Sequence, residues 1–132
     1  LNRKGEDLLM KTIHTAKAPE AIGPYSQAIV HGGLLFTSGQ IAINPASGQV
    51  EADTIEGQTE QVMKNLAALL EEAGASFDSV IKTTCFLSDM ADFAAFNAIY
   101  GAYFVSKPAR SCVAAKQLPK NVLVEVELIA AV

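Results

Sequence analysis

Four side chains near the end of the chain have the types and spacing to bind a small anion and act on it. They are Arg110 and Cys112 in Pro108-Ala109-Arg110-Ser111-Cys112-Val113, and Glu125 and Glu127 in Val124-Glu125-Val126-Glu127. A guanidinium presents a planar fork that takes a carboxylate bidentately. A carboxylate close by can orient or deprotonate a water. Side chains alternate along a strand, so Arg110, Cys112, Ala114 and Lys116 share one face. On the next strand Leu123, Glu125, Glu127 and Ile129 share one face. A hairpin with Leu118-Pro119-Lys120-Asn121 as its loop pairs Gln117 with Val122, sets Cys112 opposite Glu127 and Ala114 opposite Glu125, and puts Arg110 on the side of both acids. A slip of one residue would expose the whole Val/Leu face, which favours this register. On the residues alone, the arrangement fits a surface ion pair of little energetic value as well as it fits a carboxylate site.

The elements that must hold these residues read as follows. Lys11 to His14 is a short strand, and Gly23-Pro24-Tyr25 is a turn that aims an aromatic hydroxyl at the next strand. Gln27 to His31 and Leu34 to Ser38 are strands joined by Gly32-Gly33, a two-residue hairpin signal. Asn44-Pro45-Ala46-Ser47-Gly48 is a loop. Asp53 with Glu56 has capping-box spacing, and Ile55, Val62, Leu66, Leu69, Leu70 and Ala73 recur at helical intervals until Gly74. Val80 to Leu87 is a strand. Met90 to Val105 is a helix opened by Asp89, with Phe93, Phe96, Ile99, Tyr100, Tyr103 and Phe104 as its apolar stripe and Asn97 at the stripe's edge. This order predicts a single α+β domain: one mixed sheet with both helices on one face. The other face then needs a cover, and an oligomer that packs sheets together supplies it.

At 132 residues the chain is long enough for one real core, and half of it is hydrophobic. A net charge of −4 and the lack of a Lys/Arg cluster argue against nucleic acid or an anionic membrane surface. No apolar run approaches the roughly 18 residues of a membrane span. Cys85 and Cys112 fit neither a disulfide framework nor a zinc spacing, and with only His14 and His31 there is no metal constellation. A cytoplasmic protein without metal or cofactor is expected. Leu1 to Leu9 lacks any strand or helix period and precedes Met10. Residues 1–9 are expected to be extraneous, with the domain occupying 10–132.

Four segments in this order carry a resemblance: Gly23-Pro24-Tyr25-Ser26-Gln27-Ala28, Thr37-Ser38-Gly39-Gln40, Pro108-Ala109-Arg110-Ser111-Cys112-Val113, and Leu118-Pro119 with Val124-Glu125. Over Lys11 to Val132 the chain resembles the Rid family of enamine/imine deaminases, the YjgF group. The resemblance implies a chorismate-mutase-like fold and a homotrimer whose sheets close into a central barrel, with ligand sites in clefts between subunits. It implies hydrolysis of reactive 2-imino acids, 2-iminobutanoate and 2-iminopropanoate, to 2-oxo acids and ammonia. Such imines are released by pyridoxal-phosphate enzymes and damage other enzymes. By position, Arg110 matches the arginine that clamps the substrate carboxylate, Tyr25 the pocket tyrosine, and Glu125 the acid that positions water. Ser38 and Gly39 match a small polar wall, Asn97 a helix residue at the site, and Cys112 a residue contributing backbone and a thiol edge. The segment from Phe104 to Pro108 is shorter than in many relatives, and Lys107 stands where an aromatic is common.

The residue types suit that chemistry. An iminium carbon is already electrophilic, so fixing the carboxylate, holding a water and assisting proton transfer suffice. Cys112 lacks a histidine neighbour in sequence to activate it and reads as a packing residue. Two other functions use the same residues differently: a non-catalytic module that binds 2-oxo acids and signals through partners, and a ribonuclease, against which the acidic balance counts.

Overall fold

In the computed structural model, which describes residues 9–132, the glycine pair closes the first hairpin. Gly32 and Gly33 take φ of +59° and +78°, the left-handed values that a two-residue type I′ turn needs at both positions. The hairpin joins β2 (Ala28–His31) to β3 (Leu34–Thr37), and β1 (Lys11–Ile13) pairs antiparallel with β2. A small separate ribbon, β4 (Ile43–Asn44) with β5 (Gln49–Val50), flanks the loop at 45–48. Then come α1 (Ile55–Glu72), β6 (Val80–Leu87), α2 (Phe93–Tyr103), β7 (Ala109–Ala114) and β8 (Val124–Ala131). The six-stranded sheet runs β1-β2-β3-β8-β6-β7. Every pair in it is antiparallel except β6 with β7. This is the expected α+β domain with two helices and a mixed sheet. The expected extraneous segment lies, apart from Leu9, outside the described residues.

One expected pairing is wrong. β7 and β8 form no hairpin with each other. β8 enters between β3 and β6, and β7 lies parallel to β6 at the sheet edge. Arg110 is therefore opposite Thr83 and Cys112 opposite Cys85, while Glu125 faces Phe86 and Glu127 faces Thr84. The cause lies upstream: β6, α2 and β7 make a strand–helix–strand crossover, which lays its second strand parallel to its first. Insertion at the centre also buries the apolar face of β8 more fully than an edge could, leaving Val124, Val126, Leu128 and Ala130 at most 2% exposed.

That topology sorts the side chains by face. Thr83, Cys85 and Leu87 point with Val124, Val126 and Leu128 into the core beneath the helices. Val62, Met63, Leu66, Leu69 and Leu70 of α1 and Phe96 and Tyr100 of α2 meet them there. Each fully buried aliphatic chain is worth about 2 kcal/mol against exposure. Arg110 and Cys112, in register with Thr83 and Cys85, leave the sheet on this helix side. Glu125 and Glu127 leave on the other. The arginine and the acids do not share a face, contrary to the hairpin reading. The acid-bearing face is open in the single chain: Phe36, Ile81 and Val113 are 41–49% exposed.

The helix ends are set locally. The α1 N-cap is Thr54 and not the expected Asp53. Thr54 is extended, so its hydroxyl oxygen accepts from the Gly57 N–H at 3.1 Å. Gly74, at φ +76°, ends the helix as expected. Asp89 opens a short 3₁₀ turn, Met90–Asp92, by accepting from the Ala91 N–H, and the α-helix proper begins at Phe93.

Candidate functional site

The site residues fall into two groups on different parts of the chain. The first surrounds Arg110. Pro108 precedes the strand and Lys107 holds φ at +58°, a left-handed turn that brings the chain from α2 into β7. Phe93, Asn97 and Tyr100 recur at i, i+4 and i+7 on α2, so they form one stripe beside the edge strand. The Arg110 Nη1 donates to Asn97 Oδ1 at 2.6 Å. Its guanidinium carbon stands 4.8 Å from the Tyr100 ring centroid and 5.4 Å from that of Phe93. Both are cation–π distances. The Tyr100 hydroxyl shares a 2.7 Å hydrogen bond with Thr83 Oγ1 in the core, which fixes the platform. Burial pushes the Tyr100 hydroxyl's pKa up, so it stays neutral. Among the described residues Arg110 forms no ion pair. Asn97 takes only one of its five N–H groups, and the remaining fork is available to a ligand.

Cys112 belongs to this group by position, half-buried and two residues along the same face. Desolvation raises its thiol above the ordinary range and Arg110 only partly offsets that. It is not set up as a thiolate nucleophile.

The second group lines a cleft of about 850 Å³ that contains Tyr25, Ser38, Gly39, Gln40 and Glu125 and none of Arg110, Asn97 and Cys112. Ser38 donates its hydroxyl to the Ser26 carbonyl at 2.6 Å and its N–H to the Gln27 carbonyl at 2.9 Å. That leaves Ser38 Oγ as an acceptor. Gln40 and Val126 exchange backbone hydrogen bonds at 2.8 and 3.1 Å, extending the sheet past the end of β3. Between these anchors lies Gly39. A Cβ there would overlap Glu125 Oε2 and sit 2.9 Å from its Cδ, so glycine alone lets the carboxyl lie against the backbone. Burial, and then the Glu127 charge, raise the Glu125 pKa above the ordinary carboxylate value. A raised carboxyl is a better base near neutral pH. Tyr25, half exposed, stands on the rim after a tight turn in which its N–H donates to the Gly23 carbonyl at 2.8 Å.

Buried amides hold this cleft in shape, and the sequence reading had given them no role. Gln27 accepts from the Thr15 N–H at 2.8 Å and donates to the carbonyls of Thr15, Ala18 and Pro19 at 3.0, 3.3 and 2.8 Å. Asn65 of α1 donates to the carbonyls of Ile41 and Ile43. Phe93 and Tyr100 are expected from their spacing only to pack, yet both rings also lie under the Arg110 guanidinium. Their signal was the helical spacing to Asn97, which makes one clasp of all three. Among the described residues no three metal-ligating side chains cluster.

Comparison with known proteins places this arrangement. The model of the family described as Endoribonuclease L-PSP matches residues 15–132. The chain belongs to the Rid (YjgF/RutC) family. It is 57% identical over 124 residues to the putative regulator AldR of Lactococcus lactis, covering 93% of this chain and 98% of the relative. It is 46% identical over 126 residues to the 2-iminobutanoate/2-iminopropanoate deaminase of Escherichia coli K12, covering 92% and 98%. Among solved structures, E. coli TdcF with bound serine has a TM-score of 0.88 and 41% identity, covering 92% of this chain and 98% of that one. Within the Rid fold seen here, the segments 23–28, 37–40 and 124–125 all build the cleft. Arg110 and Cys112 of segment 108–113 build the clasp instead.

Proposed function

We propose that this chain is a 2-iminobutanoate/2-iminopropanoate deaminase, a cytoplasmic hydrolase acting on C=N. Its site pairs the Arg110 clasp of one subunit with the Tyr25–Ser38–Gly39–Glu125 cleft of another, in a homotrimer that buries the open sheet face. The observation that carries the reading is Arg110: a guanidinium held by Asn97 and stacked on Tyr100, with donors to spare. Such a group takes a carboxylate bidentately. Two half-sites on opposite faces of one sheet, neither sufficient alone, support assembly between copies. Similarity to a deaminase at 46% identity supports the reaction class, and similarity to a protein solved with serine supports an amino-acid-sized ligand.

The reaction follows from these groups. Arg110 fixes the substrate carboxylate. Glu125 takes a proton from a water as its oxygen bonds to the iminium carbon, giving a carbinolamine. The amine then takes that proton, the C–N bond breaks as the hydroxyl proton passes back to Glu125 and the carbonyl forms, and the departing ammonia carries that proton away as ammonium, leaving a 2-oxo acid. Ser38 and Tyr25 supply hydrogen bonds along the cleft wall.

Threonine dehydratase with L-threonine, run with semicarbazide as an imine trap, tests this. Wild type is expected to suppress semicarbazone and speed 2-oxobutanoate release, while Arg110→Ala does neither. A second reading, a metabolite-binding regulatory module, draws on the clasp alone and on the similarity to a relative named as a regulator. Binding of 2-oxobutanoate without any effect on the trapping assay would favour it and end the deaminase reading.

A further inference from the structure

Neither half-site uses Cys85, yet it lies directly opposite Cys112. The two occupy matching positions on neighbouring parallel strands, and their side chains leave the same face. Neighbouring strands run about 4.8 Å apart, so two thiols in register stand within reach of one bridging atom. They differ in access. Cys85 is 0% exposed and its thiol points at Thr83 Oγ1, 3.8 Å away, whereas Cys112 is half-buried and opens to the surface beside Arg110.

We propose that Cys85 and Cys112 form a vicinal dithiol that captures trivalent arsenic, as an organoarsenic(III) oxide, at the foot of the Arg110 clasp. The chemistry is selected by the surroundings. Alkylation, disulfide exchange and binding of divalent cations all require thiolate. Burial pushes the Cys85 thiol up to about 12 and raises Cys112 too, with Arg110 offsetting only part. Those routes are disfavoured at Cys85. Condensation with R–As=O needs no thiolate in its product. Two S–H bonds and the As=O bond break, two As–S bonds and one water form, and nothing is oxidised or reduced. The product carries no charge, which a desolvated position accepts.

Two As–S bonds from one rigid pair also hold the ligand far longer than one bond can, because the second forms within the molecule. The organic group would lie over the mouth at Cys112 and crowd the guanidinium two residues away. Loss of turnover on capture rests on the deaminase reading; capture itself does not.

The experiment uses phenylarsine oxide as the probe, read by native intact mass spectrometry on wild type, Cys85→Val and Cys112→Ser. Circular dichroism confirms that each variant is folded, and Cys85→Ala replaces Cys85→Val if valine disturbs the core. Wild type is expected to gain one phenylarsenic group per chain with loss of two hydrogens. That adduct should resist excess 2-mercaptoethanol and yield to dithiothreitol. Both single variants should form only adducts that 2-mercaptoethanol strips, at least about a hundredfold faster. A 2-mercaptoethanol-resistant adduct on either single variant, or none on wild type, would overturn the proposal. Because the readout is mass, an inactive protein that still forms the resistant adduct refutes the deaminase reading alone.

Discussion

Mixing an Arg110→Ala chain with a Glu125→Gln chain separates a site built within one subunit from a site built between two. The strand order places β6 between the two residues' strands, and the Glu125 row lies three residues along from that of Arg110. At about 4.8 Å per strand and about 3.3 Å per residue, their Cα atoms are about 14 Å apart, with side chains on opposite faces. One small imino acid cannot span that. Losing a bidentate charge-assisted clamp, at about 1.5–3 kcal/mol per hydrogen bond, should lower kcat/KM of the Arg110→Ala parent about 10²–10⁴-fold. The Glu125→Gln parent should fall by a similar factor. In an equal mixture refolded together, half the chains supply Arg110 and half supply Glu125, so about a quarter of the interfaces carry both. The dehydratase-coupled assay should therefore recover about a quarter of wild-type activity. Differently tagged chains verify that mixed oligomers have formed. A verified mixture no better than its parents would refute the shared site. A Glu125→Gln parent with wild-type turnover would refute the water-positioning role instead.

Tyr100→Leu removes the platform under Arg110 and should raise KM about five- to tenfold while lowering kcat less; Tyr100→Phe, which keeps the ring, should restore most of the loss. Gly39→Ala should leave secondary structure intact by circular dichroism but displace the Glu125 carboxyl and reduce kcat at least about tenfold, a result that wild-type kcat would contradict. Because the folded Glu125 pKa is raised above its ordinary 4.5, its contribution to stability is present below that value and lost as pH rises through the folded value. Glu125→Gln should accordingly show a higher Tm than wild type at neutral pH and lose that advantage in acid, and a Tm difference independent of pH would refute the linkage. Gln27→Leu strands the backbone groups of residues 15–19 and should cost about 2–4 kcal/mol in urea denaturation, a cost that disappears if those groups find other partners.

What the sequence made legible was local. Gly32-Gly33, the first helical stripe ending at Gly74 and the β-rich run at 80–87 depend on nearest neighbours and formed where expected, while the second helix is shorter than the expected 90–105 and spans Phe93–Tyr103. The candidate site residues fall into two groups: Arg110 with Asn97 form one, and Tyr25 with Ser38, Gly39 and Glu125 form another. That grouping was not legible in the sequence. Leu118-Pro119 looked like a hairpin loop because local pattern cannot tell a turn that returns to the same strand from one that passes to another. The missing information was the partner of β7, and it lay in the preceding helix: a strand, a helix and a strand in succession pair in parallel. Thr54 in place of Asp53 is a smaller case of the same limit. Both residue types cap helices, and only the backbone angles decide which one sits at the boundary.

The position of β7 also bears on when the Arg110 clasp comes into being. In β7 only Cys112 is shielded from solvent, and the strand touches the sheet through β6 alone. Its pairing waits on closure of the 88–108 connection, so it gains little until α2 has docked. Amide exchange in Ala109–Ala114 should therefore be faster than in the central strands β3, β8 and β6 when the protein is dilute, and slow as concentration rises. An enzyme arranged this way would bind substrate only as far as its own concentration holds that strand in place, so specific activity would fall on dilution before any unfolding is detectable.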